Sequence, residues 1–144
     1  DEILIALSIS AATDKNAELA MKAVDTVIDK VYDDDLVIQL SRQSLKYSQL
    51  RGRAVDKLLS AHLEPARVSA LEEMRIAGNL HMDTLLNTST SHIAELAIQE
   101  SNRKINRMYQ SLHKHENAGN ETVEMAKEFM EVEEANIRQL RKFL

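Results

Sequence analysis

The sequence predicts an all-α protein, and three observations carry that reading. Only three Gly and one Pro occur in 144 residues, too few turn residues for a strand-rich fold. Apolar residues recur at alternating spacings of three and four over long runs, which is helical periodicity. The breaks between those runs fall in the order short, long, short, with Asp33-Asp34-Asp35 at the first, Pro65 to Asn87 at the second and Gly119-Asn120 at the third.

The first helix is expected over about 2–32. One stripe in it runs Ile3, Leu7, Ala17, Met21, Val24, Ile28, Val31, with polar slots at Ser10 and Asp14. A neighbouring stripe, Ile5, Ile9, Ala12, Leu19, Ala23, is apolar through the same region, so the inward face near the N-terminus is left open. The Asp triplet offers a cap and acidic charge for the next helix, about 34–62. Its apolar set includes Leu36, Leu40, Tyr47, Leu50, Ala54, Leu58 and Leu59, and it stops before Glu64-Pro65. Pro65 suits the first turn of a crossover segment, about 65–87, which Gly78-Asn79 should bend or split. Thr88 to Ser91 is rich in capping residues, so a further helix should run from about 90 to 117 and end near Gly119. The last helix, about 121–144, has the seam Val123, Ala126, Met130, Glu133, Ile137, Leu140, Leu144. Arg138, Arg141 and Lys142 complement the dipole at its end. Four segments are long, roughly 36 to 45 Å at the helical rise. Two antiparallel hairpins joined by one long crossover is the wiring of a ferritin-like up-down four-helix bundle, here as one domain over 1–144.

Composition narrows the function. Hydrophobic residues at 44% and charged residues at 28% mark a globular chain with enough length for its own core. Aromatics are 3% with no Trp, so that core is aliphatic. The absence of Cys removes disulfides, thiolate metal sites and a thiol nucleophile, and fits a reducing cytoplasm, the expected compartment. The chain begins at Asp1 without Met, which leaves secretion or a membrane anchor open. Net charge is −5, from 18 basic and 23 acidic residues, and no basic run exceeds Arg51-Gly52-Arg53. No nucleic-acid partner is expected. The most apolar uncharged stretch, Ile3 to Thr13, is too short for a bilayer, which takes about 20 residues.

Ser91 to Ser101, SHIAELAIQES, and Ala118 to Leu144, with its ending Asn136-Ile137-Arg138-Gln139-Leu140-Arg141-Lys142-Phe143-Leu144, resemble the C-terminal half of a family of small, uncharacterised bacterial helical proteins. This chain carries Arg141 where the family ending has Lys. The first hairpin resembles the family in pattern alone. The resemblance covers less than half the chain. It implies a ferritin-like bundle and supplies no catalytic residue.

Di-iron proteins of the ferritin-like class use Glu-x-x-His pairs on two helices. This sequence has none. His92-Ile93-Ala94-Glu95 has the spacing in reverse, in a first helical turn, where it reads as a helix start. The candidates for a metal site are Asp14 and Glu133 on the seams of the first and last helices, and Glu100 near the apolar stripe of the fourth segment. A buried carboxylate must be paired, protonated or metal-bound. The structural alternative pairs these three with Arg51, Lys104 or Tyr47. Three carboxylates without His make a poor iron site, so no cofactor is expected. The expected function is a non-enzymatic helical bundle acting by interaction or self-association, as a homodimer, because crossover residues such as Leu80, Leu85 and Leu86 need cover. The alternatives are a ferritin-like metal-binding or oxidative-stress protein and an extracytoplasmic ligand-sensing bundle.

Overall fold

The computed structural model describes residues 2–65, 67–114 and 120–144, and among them every regular element is helical. The elements are α1 (Glu2–Val27), α2 (Asp34–Ser60), α3 (Ala70–Thr84), α4 (Thr90–Lys114) and α5 (Asn120–Leu140), with 3₁₀ turns at Ile28–Lys30 and Arg141–Phe143.

Local chemistry sets most of the ends. Asp33 accepts from the Leu36 N–H at 3.0 Å and so caps α2, satisfying one of the orphan donors of its first turn. α2 ends at Ser60, two residues short of the sequence reading. Its Leu63 and His62 N–H groups turn back onto the Leu58 and Leu59 carbonyls, with His62 in the left-handed region at φ 59°. Those two bonds form a Schellman stop. The crossover helix starts later than Pro65, because Ser69 caps it by accepting from Glu72 N at 3.1 Å. It also runs unbroken through Gly78, whose buried flank packs on α1. α1 tightens into its 3₁₀ turn at Ile28, short of Tyr32, and Val31 N–H closes on the Ile28 carbonyl. Ser89 accepts from His92 N at 3.3 Å at the head of α4. The expected stop near Asn117 and Gly119 lies outside the described residues.

Side-chain pairs across helices give their directions. α1 and α2 are joined by a short turn and lie antiparallel, with Asp14 against Arg51 and Val27 clustered with Leu36. Tyr47 meets Glu133 and Arg53 meets Glu128, so α2 and α5 are antiparallel. α4 descends beside α1, with Met108 against Asn16 and Ile93 near Val24. α3 climbs parallel to α1, since Lys15 pairs with Glu72, Lys22 with Glu73, and Lys30 with Thr84.

Two apolar clusters fill the interior. One holds Ile9, Tyr47, Leu50, Met108, Phe129 and Met130, with the Tyr47 and Phe129 rings tilted at 6.1 Å, an ordinary aromatic contact. The other holds Val27, Leu36, Leu40, Leu80, Ile93 and Leu140. Near its N-terminus α1 buries Ile9 together with the polar slots Ser10 and Asp14. Thr13 and Asn16 on the same face bond back to the Ile9 and Ala12 carbonyls. Of the crossover residues expected to need cover, Leu80 is buried against α1, whereas Leu85 and Leu86 are exposed. Leu59 and Leu144 are also exposed. Leu59 lies off the buried stripe of α2, and the 3₁₀ turn rotates Leu144 away from the α5 seam. No helix among the described residues is long and apolar enough to cross a membrane.

Candidate functional site

Between the two clusters the interior becomes polar. Tyr47 and Gln43 come from one face of α2, four residues apart. Ser101 and Lys104 come from α4, and Glu133 and Asn136 from one turn of α5, so each helix contributes neighbours on a single face. All six are buried. Tyr47 donates its hydroxyl to Glu133 Oε1. Asn136 Nδ2 donates to the Tyr47 oxygen at 2.9 Å and to Glu133 Oε1 at 3.3 Å. Glu133 Oε2 and Gln43 Nε2 have no hydrogen-bond partner. Lys104, 2% exposed, donates to Glu100 Oε2 at 3.2 Å, while Arg103 takes the other oxygen of Glu100.

Burial dominates the electrostatics. It pushes the Glu133 carboxyl up from 4.5 to about 7. The hydrogen bond from Tyr47, the charge of Lys104 and the hydrogen bonds of Ser101 and Asn136 oppose that rise without cancelling it. Burial, and then the charge and hydrogen bond of Glu133, hold the Tyr47 phenol well above its usual 10. Near neutral pH the pair is therefore a neutral phenol beside a carboxyl that is half protonated.

Gln43, Tyr47, Ser101, Lys104 and Glu133 line one side of a cavity of about 40 Å³ whose remaining walls are largely apolar, including Ala20, Val24, Leu80 and Ile93. Glu100 and Glu133 both line it. Asp14 does not. It is fully buried and receives Arg51 Nε at 3.0 Å, with Glu18 4.0 Å from the same guanidinium. The partners of the three candidate carboxylates thus include Arg51 for Asp14, Lys104 and Arg103 for Glu100, and Tyr47, Asn136 and Ser101 for Glu133. Among the described residues no three His, Cys, Asp or Glu side chains come together as a metal-binding group. His92 bonds the Asp83 carbonyl at 2.8 Å through Nε2 and Glu95 is exposed, so that motif marks the start of α4.

Gln43, Ser101 and Asn136 were not singled out from the sequence. Their signal was spacing to a recognised residue: Gln43 four before Tyr47, Ser101 three before Lys104, and Asn136 three after Glu133.

A second feature lies on the outside. α3 carries Leu71, Met74, Met82 and Leu85 exposed along one stripe, with exposed Gly78 at its centre. Its inward residues Ile76, Leu80 and Thr84 lie on the opposite side of the helix.

No family model, curated protein or solved structure matches the chain.

Proposed function

We propose that this chain is a ferritin-like bundle whose four long helices run up, down, down, up, with α3 as the crossover, and that it works without catalysis, as a self-associating interaction module. The helix directions and the order of short, long and short connections support the architecture. The outer stripe of α3 carries the functional reading. Its spacing, Leu71, Met74, Gly78, Met82, Leu85, is three, four, four, three. That series reads the same in both directions about Gly78. A second copy placed antiparallel through a two-fold axis at Gly78 therefore sets Leu71 against Leu85 and Met74 against Met82, twice over. Such self-complementarity is what a two-fold interface requires, the spacings of three and four keep the stripe on one helix face, and Gly at the axis lets two backbones approach. A Cβ added at Gly78 meets nothing within 4 Å in the single chain.

Sedimentation at rising concentration tests this reading. A dimer is expected, lost in Met82→Lys with the helical content unchanged. The chain has no Cys, so Gly78→Cys introduces a lone thiol at the proposed axis. Oxidation should link two copies through it, whereas Leu59→Cys on α2 should not cross-link. A wild-type chain that stays monomeric at high concentration overturns the proposal. Stoichiometric iron or zinc in the purified protein, lost in Glu133→Ala, would replace it with the metal-binding alternative.

A further inference from the structure

Self-association through α3 leaves the interior cavity unused. Its volume of about 40 Å³ is room for about three water-sized groups. What fills such a space depends on the hydrogen bonds its walls can offer, because a stable internal water needs about two to four polar partners.

These walls offer few. Ala20, Ala23, Val24, Leu80, Ile93 and Leu96 give it apolar surface from three helices. The polar residues beside them turn their hydrogen-bonding groups on one another. Tyr47 bonds Glu133 and Asn136, and Ser101 bonds Tyr47 and Glu133. Lys104 bonds Glu100, whose other oxygen takes Arg103. Two atoms are left over, Glu133 Oε2 and Gln43 Nε2, and both are buried out of reach of a water molecule. Water entering this cavity would give up its hydrogen bonds and recover almost none of them. An apolar guest has none to give up and gains dispersion contacts on every side.

We propose that the cavity is a dry binding site for a small apolar molecule of about two to four heavy atoms, a short hydrocarbon by chemical class, held against Ala20, Val24, Leu80 and Ile93. Apolar interior cavities stay empty of water and take up apolar guests, and one of about 150 Å³ admits benzene. At about 40 Å³ this cavity is too small for a six-carbon ring, so size as well as polarity selects the guest. Leu80 ties the site to the crossover, since it is the α3 residue that closes the cavity.

Methyl-resolved magnetic resonance of the full chain under rising pressures of cyclopropane, and separately of xenon, tests the proposal. Saturable shifts are expected for the methyls of Ala20, Val24, Leu80 and Ile93 with either gas. Ala20→Leu adds an isopropyl group to the wall and should abolish them. A wild-type chain with no saturable shift at several atmospheres overturns the proposal. So do shifts that persist in Ala20→Leu, which would place the gas elsewhere, for instance on the exposed stripe of α3. A third measurement needs no variant and decides the matter even if Ala20→Leu does not fold. Magnetisation transfer from water to the wall methyls of the wild-type chain should be absent, and its presence would show a wet cavity and overturn the proposal.

Discussion

Replacing Glu133 by Gln isolates the energetic consequence of burying a carboxyl. In the folded chain Glu133 is fully buried, and burial raises it from 4.5 to about 7. Because the folded carboxyl holds its proton more tightly than the unfolded one, the folded state is favoured most below 4.5, and that advantage is lost as the pH rises to about 7. At about 1.4 kcal/mol for each tenfold change in proton affinity, the rise corresponds to about 3 kcal/mol. The burial is complete, so solvent screening does not discount it. Gln keeps the oxygen that accepts from Tyr47 and Asn136 but carries no titrating proton. Urea denaturation of both proteins at about pH 4.5 and about pH 8, followed by circular dichroism, separates this group from every other one, since all other titrating groups are common to the two chains. The variant should gain about 3 kcal/mol on the wild type between the lower and the higher pH. A stability difference that is the same at both pH values, to within about 0.5 kcal/mol, would mean that Glu133 is not held neutral by burial, and the account of this site would fail.

Two further outcomes follow from the packing. Leu140 is fully buried in the cluster at the α5 end, so Leu140→Ala should cost about 2–5 kcal/mol in urea denaturation. A cost typical of surface sites, under about 0.5 kcal/mol, would mean the seam is misplaced. His62 occupies the left-handed position after α2, where a side chain is disfavoured and Gly is not. His62→Gly should therefore raise the thermal midpoint, with a gain of roughly 0.5–1 kcal/mol; a lowered midpoint would show that the imidazole itself contributes to the stop.

Much of the fold was legible because helix ends are local chemistry. Asp33 and the Thr88 to Ser91 quartet announced α2 and α4, and the seam through Ala126, Met130, Ile137 and Leu140 placed the buried face of α5. The start of α3 was also local but was overlooked. Ser69-Ala70-Leu71-Glu72 has the spacing of a capping box, a better signal than Pro65, which lies outside the helix. Gly78 misled for a different reason. A Gly inside a helix costs about 1 kcal/mol against Ala, a penalty that tertiary contacts readily outweigh. Here Ile76 and Leu80 pack on α1, and ion pairs from Lys15 and Lys22 fasten the same helix, so α3 continues through it.

The site was legible in its carboxylates and hidden in its amides. A carboxylate on an apolar seam is conspicuous because burying it uncompensated costs several kcal/mol, and that reasoning picked out Asp14, Glu100 and Glu133 with Arg51, Lys104 and Tyr47 as their candidate partners. Gln43 and Asn136 raise no such alarm, since amides are ordinary on solvated helix faces. What separates them is tertiary: α2 and α5 run antiparallel, which brings Gln43 and Tyr47 to the level of Glu133 and Asn136. Asn136 then satisfies the Tyr47–Glu133 pair, whereas Gln43 Nε2 and Glu133 Oε2 are buried without a hydrogen-bond partner. One member of the buried set closes a hydrogen-bond network and another leaves it open. The unsatisfied end of the network therefore falls on Gln43, the residue that sequence periodicity had least reason to mark.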